Sequence, residues 1–299
     1  MSAPATAPAA PQKTMKDWQT TTASWWCPGC GDFGVLAALQ RALAQLGYEN
    51  HEVTIVSGIG CSGKLSGYIK SYSYHSLHGR ALPPAQAMKL VNKDQKVIVV
   101  GGDGDGFGIG AGHFIHAVRR NIDLTYIVMD NAIYGLTKGQ ASPTTPVGMV
   151  TSTTPEGPIE VPVNPLALYL ASGGTYLAQG FSGDQKTLVT LFEGAIQHEG
   201  FALVNTFSPC VTFNKLLTYQ WYRDHLVTID GQKVQHDASN KQMAMARVLD
   251  GQTYQGLLYQ EKGRRSADNR IKAVTSAPKP LVKLDLNAPD FAPILENYR

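Results

Sequence analysis

The stretch Lys96-Val97-Ile98-Val99-Val100-Gly101-Gly102-Asp103-Gly104-Asp105-Gly106-Phe107-Gly108 decides how this chain folds. Its aliphatic opening predicts a strand buried on both faces, and the glycines predict a turn whose backbone can approach a ligand closely. Residues 110–120 then read as a helix. Strand, glycine turn and helix in that order make a unit that cradles phosphate. Outward from it, Val53-Thr54-Ile55-Val56 precedes as a strand and 124–129 follows as another; Tyr176-Leu177-Ala178 and Ala202-Leu203-Val204-Asn205 bring the strands to five. Helices are expected at 33–46, 81–92, 165–171 and 185–198, with Phe33, Leu36, Leu39 and Leu43 as the core stripe of the first. This alternation predicts an α/β fold, a mostly parallel sheet with helices on both faces.

Composition narrows the class. The 299 residues are 43% hydrophobic and 16% charged with a net charge of +3, an ordinary globular balance without the basic bias of a nucleic-acid binder. No apolar run approaches the ~18–20 residues of a membrane span. Residues 1–15 are Ala/Pro-rich and expected to be a disordered tail without a secretory core, so a cytoplasmic location is expected. Residues 16–210 form the expected domain. Residues 211–299, with weak periodicity apart from a helix at 241–249, are expected to be an irregular C-terminal arm packing on the domain or on a partner subunit. Residues 131–164 are rich in Gly, Thr, Ser and Pro, and a long loop of that kind inside a compact domain signals function.

The glycine turn admits two readings. Gly106, Gly108 and Ala111 fit a loose dinucleotide fingerprint, with Asp130 placed to meet a ribose. Asp103 opposes it, because a carboxylate beside a diphosphate needs an intervening cation. Mg²⁺ supplies one and takes hard oxygen ligands. Asn131, ending the next strand, offers a second oxygen, and the Ile133 carbonyl a third. The chain has four cysteines, Cys27, Cys30, Cys61 and Cys210, the first two in Trp26-Cys27-Pro28-Gly29-Cys30-Gly31. Four thiolates suit one iron–sulfur cubane or one structural zinc, with a redox dithiol or disulfide staples as alternatives.

Taken together, the Cys-Pro-Gly-Cys-Gly run, Ser57-Gly58-Ile59-Gly60-Cys61-Ser62, His78-Gly79-Arg80, the Gly-Asp-Gly turn and Asn131-Ala132-Ile133-Tyr134-Gly135-Leu136-Thr137-Lys138 occur in one order between about Trp25 and Cys210. In that order they resemble the β subunit of 2-oxoacid:ferredoxin oxidoreductases. The usual Asn-Asn pair of thiamine enzymes stands here as Asp130-Asn131. The resemblance implies a thiamine diphosphate-binding fold, with Mg²⁺ on Asp103, Asn131 and Ile133 and a [4Fe–4S] cluster on the four cysteines. It implies thiamine contacts from Ile59, Gly60, Cys61, Ser62, His78, Gly102, Gly104, Asp105, Gly135 and Leu136. His78, Lys64 and Lys138 are candidate catalytic or substrate-binding residues.

The implied reaction is oxidative decarboxylation of a 2-oxoacid, 2-oxoglutarate ahead of pyruvate, with CoA as acyl acceptor and ferredoxin as electron acceptor. A non-redox thiamine enzyme half with structural zinc is the alternative, and a zinc-stabilised nucleotide-binding or scaffold protein a third. Thiamine enzymes need a glutamate beside the aminopyrimidine, yet the first 155 residues hold only Glu49 and Glu52, both at the wrong end of the first strand. A partner α subunit, sometimes fused to a γ domain, is therefore expected to supply it, and the αβ units are expected to pair into a dimer.

Overall fold

The computed structural model describes residues 13–229, 234–276, 279–283 and 296. In chain order the strands are β1 (Val53–Ser57), β2 (Tyr72–His75), β3 (Lys96–Gly102), β4 (Leu124–Asp130), β5 (Ile133–Tyr134), β6 (Gln140–Ala141), β7 (Tyr176–Phe181), β8 (Phe201–Phe207), β9 (Leu226–Thr228) and β10 (Thr253–Gln260). Eight of them form one sheet in the order β2-β1-β3-β4-β8-β7-β10-β9, while β5 and β6 pair separately. Every pairing from β2 to β7 is parallel; β10 joins β7 antiparallel and carries β9 beside it.

Six helices sandwich this sheet. On one face lie α1 (Asp32–Gln45) and α5 (Gln185–Gln197). The other carries α2 (Leu82–Val91), α3 (Ala111–Arg120), α4 (Pro165–Ala171) and α7 (Lys241–Leu249). The remaining short helices are α6 (Tyr219–His225) and α8 (Lys272–Thr275). The period-2 geometry of β3 divides its side chains: Ile98 and Val100 pack under α1, whereas Val97 and Val99 pack under α2 and α3. All seven residues of β4 are buried, which explains an unbroken apolar run rather than an alternating one. Each fully buried aliphatic contributes ~1.5–3 kcal/mol from transfer out of water.

Helix α3 stops where Asn121 turns left-handed at φ 53°. Its carboxamide then accepts from Phe201 N and Thr175 Oγ1, fixing the starts of β7 and β8. Strands β1, β3, β4 and β8 are consecutive in the sheet and parallel, so their following loops emerge at one edge. These loops carry Cys61, Asp103, Asn131 and Cys210.

Several expectations change. The buried stripe of α1 is Val35, Ala38, Leu39, Ala42 and Leu43; Phe33 is 39% exposed and meets the edge of Trp26 instead, and Leu36 is half-buried. Strand β2 is not evident in the sequence because it is a short edge strand with no buried face. Strands β9 and β10 are equally unannounced, and they correct the picture of an irregular arm. Strands β9 and β10 extend the main sheet, and Gln179 Nε2 donates to Tyr254 O across the β7–β10 seam.

Most of 277–299 lies outside the described residues, as does 1–12 of the expected disordered tail. Lys13, Thr14 and Met15 of that tail are described: Lys13 pairs with Glu49 at 2.6 Å and Met15 opens a short 3₁₀ helix. Among the described residues no helix is long and apolar enough to cross a membrane.

Candidate functional site

At the end of β3 the chain turns directly into helix, with Asp103 at the N-cap of a π-helical turn, Gly104–Ile109, that leads to α3. Asp103 is 1% exposed. Its carboxylate accepts from Ser142 Oγ at 2.5 Å, Thr144 Oγ1 at 2.7 Å and Asn131 N at 3.4 Å. Burial, reinforced by the nearby Asp130 carboxylate, pushes its pKa up to about 7. A cation at this carboxylate would reverse that shift, which is the behaviour expected of a buried metal ligand. Asp130 lies behind it, buried and held by Asn205 Nδ2, Ala132 N and Thr144 Oγ1. It lines a different cavity, so it does not act as a ribose ligand in the glycine-turn cavity.

After β4, Ala132 takes a left-handed φ of 56°. A non-glycine residue there costs ~1 kcal/mol or more. The bend lets Ile133 N reach back to Asn131 Oδ1 at 3.1 Å, while Thr145 Oγ1 anchors Ala132 O at 2.7 Å. Asp105 pins two loops to the turn. It accepts from Ile59 N at 2.9 Å and Gly79 N at 2.8 Å, and His78 Nδ1 lies 3.1 Å from it. Burial raises its pKa against the lowering effect of those donors. Asp105 therefore supports the turn through hydrogen bonds.

These loops enclose a cavity of about 330 Å³. Every expected thiamine contact lines it: Ile59, Gly60, Cys61, Ser62, His78, Gly102, Gly104, Asp105, Gly135 and Leu136, together with Asp103, Asn131 and Ile133. Met129, Tyr134 and Thr137 also line it and are additions to the expected set. Tyr134 covers the turn, its hydroxyl donating to Gly104 O at 3.1 Å and its ring 6.0 Å from that of His78. Glycine is required at 104, since a Cβ there would come within 2.2 Å of the Tyr134 ring. Ser142 and Thr144 are further additions, and they belong to the long loop expected to be functional.

The four cysteines are free thiols lining a second cavity of about 160 Å³, which excludes the disulfide reading. Cys61, Asn131, Gly135 and Leu136 line both cavities, so the two spaces adjoin. At Gly135 a Cβ would stand 3.4 Å from Cys210 Sγ and 3.7 Å from Cys61 Sγ, in ordinary van der Waals contact with both sulfurs where the two cavities adjoin. Burial pushes the Cys61 thiol up to about 12 and raises Cys30 further.

Among the described residues no three His, Cys, Asp or Glu side chains are grouped tightly enough to hold a single metal ion. Trp26 closes one wall, donating Nε1–H to Cys61 O at 2.7 Å, while Trp25 is 79% exposed at the rim. Lys64 and Lys138 line the cysteine cavity and not the larger one. Arg80 meets the His113 ring rather than a carboxylate.

Residues 58–206 match the family described as thiamine pyrophosphate enzyme, C-terminal TPP binding domain. Residues 210–276 match the family that describes the C-terminal part of the pyruvate ferredoxin oxidoreductase beta subunit. Over 289 residues the chain is 38% identical to 2-oxoacid:ferredoxin oxidoreductase 2, subunit beta, of Aeropyrum pernix, covering 92% of this chain and 94% of that one. The chain belongs to the 2-oxoacid:ferredoxin oxidoreductase β-subunit family.

A second member, the 2-oxoacid:ferredoxin oxidoreductase subunit beta of Saccharolobus solfataricus, is 48% identical over 69% of this chain and 68% of its own. Among solved structures, 2-oxoglutarate:ferredoxin oxidoreductase from Magnetococcus marinus, with 2-oxoglutarate, coenzyme A and succinyl-CoA bound, superposes with a TM-score of 0.87. It is 41% identical, and the match covers 98% of both chains. The family is one of oxidoreductases with a thiamine diphosphate-binding domain, and the β designation implies a heteromer with an α subunit.

Proposed function

We propose that this chain is the β subunit of an enzyme that oxidatively decarboxylates 2-oxoglutarate with CoA, giving succinyl-CoA, CO₂ and reduced ferredoxin. The observation that carries this reading is the shared wall: the cavity built on Asp103 and Asn131 adjoins the cavity ringed by four thiols. Bound thiamine diphosphate would supply the carbanion chemistry of decarboxylation, and a [4Fe–4S] cluster would accept the released electrons one at a time.

The chain's own residues divide the remaining work. Asp103, Asn131 and the Ile133 carbonyl would hold Mg²⁺ against the diphosphate. Asp105 keeps the Ile59 and His78-Gly79 loops in register with the turn, and Tyr134 excludes water from it. Cys27, Cys30, Cys61 and Cys210 would hold the cluster. Their arrangement around a space, rather than at a point, supports a polynuclear group over zinc, whose four sulfurs would sit ~2.3 Å from one centre. Lys64 and Lys138, on the thiol side of the shared wall, would meet anionic groups of the 2-oxoacid or CoA.

The carboxylates lining the larger cavity are Asp103 and Asp105, both already engaged. Glu49 pairs with Lys13 at the far end of β1, and Glu52 reaches back to the Glu49 N–H. The site is completed by an activating glutamate from the α partner. The name of the Magnetococcus marinus relative favours 2-oxoglutarate as the acid. Reduction of a low-potential dye by the purified heteromer, with CoA and either 2-oxoglutarate or pyruvate, tests this. Faster turnover of 2-oxoglutarate is expected. Preference for pyruvate would overturn the substrate assignment, and a colourless protein carrying stoichiometric zinc would overturn the redox reading.

A further inference from the structure

We propose that residues 25–29 and the neighbouring residues 211–215 form the docking surface for ferredoxin, a small acidic protein in this assignment, with Trp25 as its anchor. The inference rests on the cluster reading above. Cys61 borders the larger cavity, whereas Cys27 is the one exposed thiol of the four. Electrons that enter a cluster from the Cys61 side therefore leave nearest the surface at Cys27. Gly31 N donates to Pro209 O at 3.1 Å, and a Cβ at Gly29 would stand 3.8 Å from Val211 Cγ1, so the two loops lie side by side. Pro28, Gly29, Thr212 and Phe213 are exposed on them. Trp25, Cys27 and Phe213 line the cysteine cavity and not the larger one that the α subunit must complete.

Trp25 is 79% exposed, yet its loop is fixed. Its backbone N–H donates to Tyr68 Oη at 2.8 Å, and the buried Trp26 packs edge-on against Phe33 and Tyr68 at 5.1 and 4.8 Å. An indole held in water on a fixed loop adds little burial to the fold, and ordering it under a partner costs little entropy. Tryptophan is among the side chains that most often dominate an interface. Charge supplies the partner's chemistry. The segments around the thiols, residues 20–31, 60–67, 131–141 and 208–225, hold Lys64, Lys138, Lys215 and Arg223 against Asp224 alone. That excess equals the +3 of the whole chain, so the remaining residues are neutral in sum. Lys215 is exposed, and its Nζ donates to Val211 O at 2.6 Å, next to Cys210. A positive edge of this kind steers an acidic partner to the exit thiol, and contacts between redox proteins are small enough for a few side chains to dominate them.

The test is the binding of an acidic [4Fe–4S] ferredoxin to the purified heteromer, measured by surface plasmon resonance at low and high salt. Wild type, Trp25→Ala, Trp25→Phe and Lys215→Glu are compared, with iron content and reduction of a low-potential dye followed in each. Trp25→Ala should weaken ferredoxin binding about tenfold or more, as loss of an interface anchor does, while α association, iron and dye reduction stay unchanged. Trp25→Phe should recover most of that loss. Lys215→Glu should slow association at low salt and lose its effect at high salt. Wild-type affinity in Trp25→Ala overturns the inference, and an association rate indifferent to both Lys215→Glu and salt overturns the acidic partner. A Trp25→Ala chain that parts from the α subunit, or that reduces the dye more slowly, also overturns it, since Trp25 would then serve the subunit interface or the cluster. An iron-free wild type would instead refute the cluster reading itself, a separate and recognisable result.

Discussion

Replacing Gly104 by alanine should cripple cofactor binding while leaving the sheet intact. A Cβ at this position would lie 2.2 Å from Cε1 of Tyr134. Carbon atoms rest at ~3.5–4.0 Å, so the ring must retreat by about 1.5 Å. Overpacking of this kind costs ~1–3 kcal/mol. Displacing the ring also breaks the Tyr134 Oη–Gly104 O hydrogen bond of 3.1 Å, worth ~1 kcal/mol. Because Tyr134 lines the cavity, the ring is pushed against the space that thiamine diphosphate would fill. Where the ring is relieved only by entering the cofactor space, that sum of roughly 2–4 kcal/mol sets the upper bound on the loss in affinity, about 700-fold.

Calorimetric titration of the heteromer with thiamine diphosphate and Mg²⁺ measures this loss. Gly112→Ala in α3 is the control, since a Cβ there meets nothing within 4 Å. Gly104→Ala/Tyr134→Ala is the relief variant and should bind more tightly than Gly104→Ala alone. Equal affinities for Gly104→Ala and Gly112→Ala, or no relief in the double variant, would refute the reasoning.

Three further outcomes follow from the site. Asp103 is raised from 3.8 to about 7 by burial and by Asp130, so the metal-free native chain holds a proton that the unfolded chain releases. Its stability should therefore fall as pH rises from about 4 through about 7, by on the order of 4 kcal/mol at ~1.4 kcal/mol per unit. Urea unfolding in EDTA should show that slope in the wild type and lose it in Asp103→Asn, and equal slopes would count against the argument. Asp105→Ala strands the Ile59 and Gly79 N–H groups and should cost ~2–6 kcal/mol, whereas Asp105→Asn keeps an acceptor and should cost less; indistinguishable midpoints for the two would reject this role. Cys210→Ser should strip iron, sulfide and the broad absorbance near 400 nm from the heteromer, and retention of all three would remove Cys210 from the ligand set.

Much of the site was legible because its chemistry is written in short local motifs. Gly101 to Gly108 specify close backbone approach, and a carboxylate inside that turn demands a cation, so Asp103 and Asn131 could be paired before any coordinates. Tyr134, Ser142 and Thr144 were less legible. Their hydroxyls matter only because the 131–164 loop folds back over the turn, and nothing in local spacing distinguishes them from other loop hydroxyls. Lys64 and Lys138 read as catalytic or substrate-binding candidates, yet both line the cysteine cavity and not the one built on Asp103. Asp32 accepts from Ser208 across 176 residues of chain, and no local pattern announces that bond.

By itself the sequence determined the parallel core, the glycine turn and the inventory of four thiols, because strand periodicity and backbone freedom are local properties of a chain. Tertiary structure alone decided that β10 closes the sheet antiparallel to β7, and that the cysteine loops after β1 and β8 meet the one preceding α1. It also decided that the two cavities share a wall at Gly135. Those outcomes depend on strand order and on loops meeting across the sheet edge, and neither is encoded in any single window of residues.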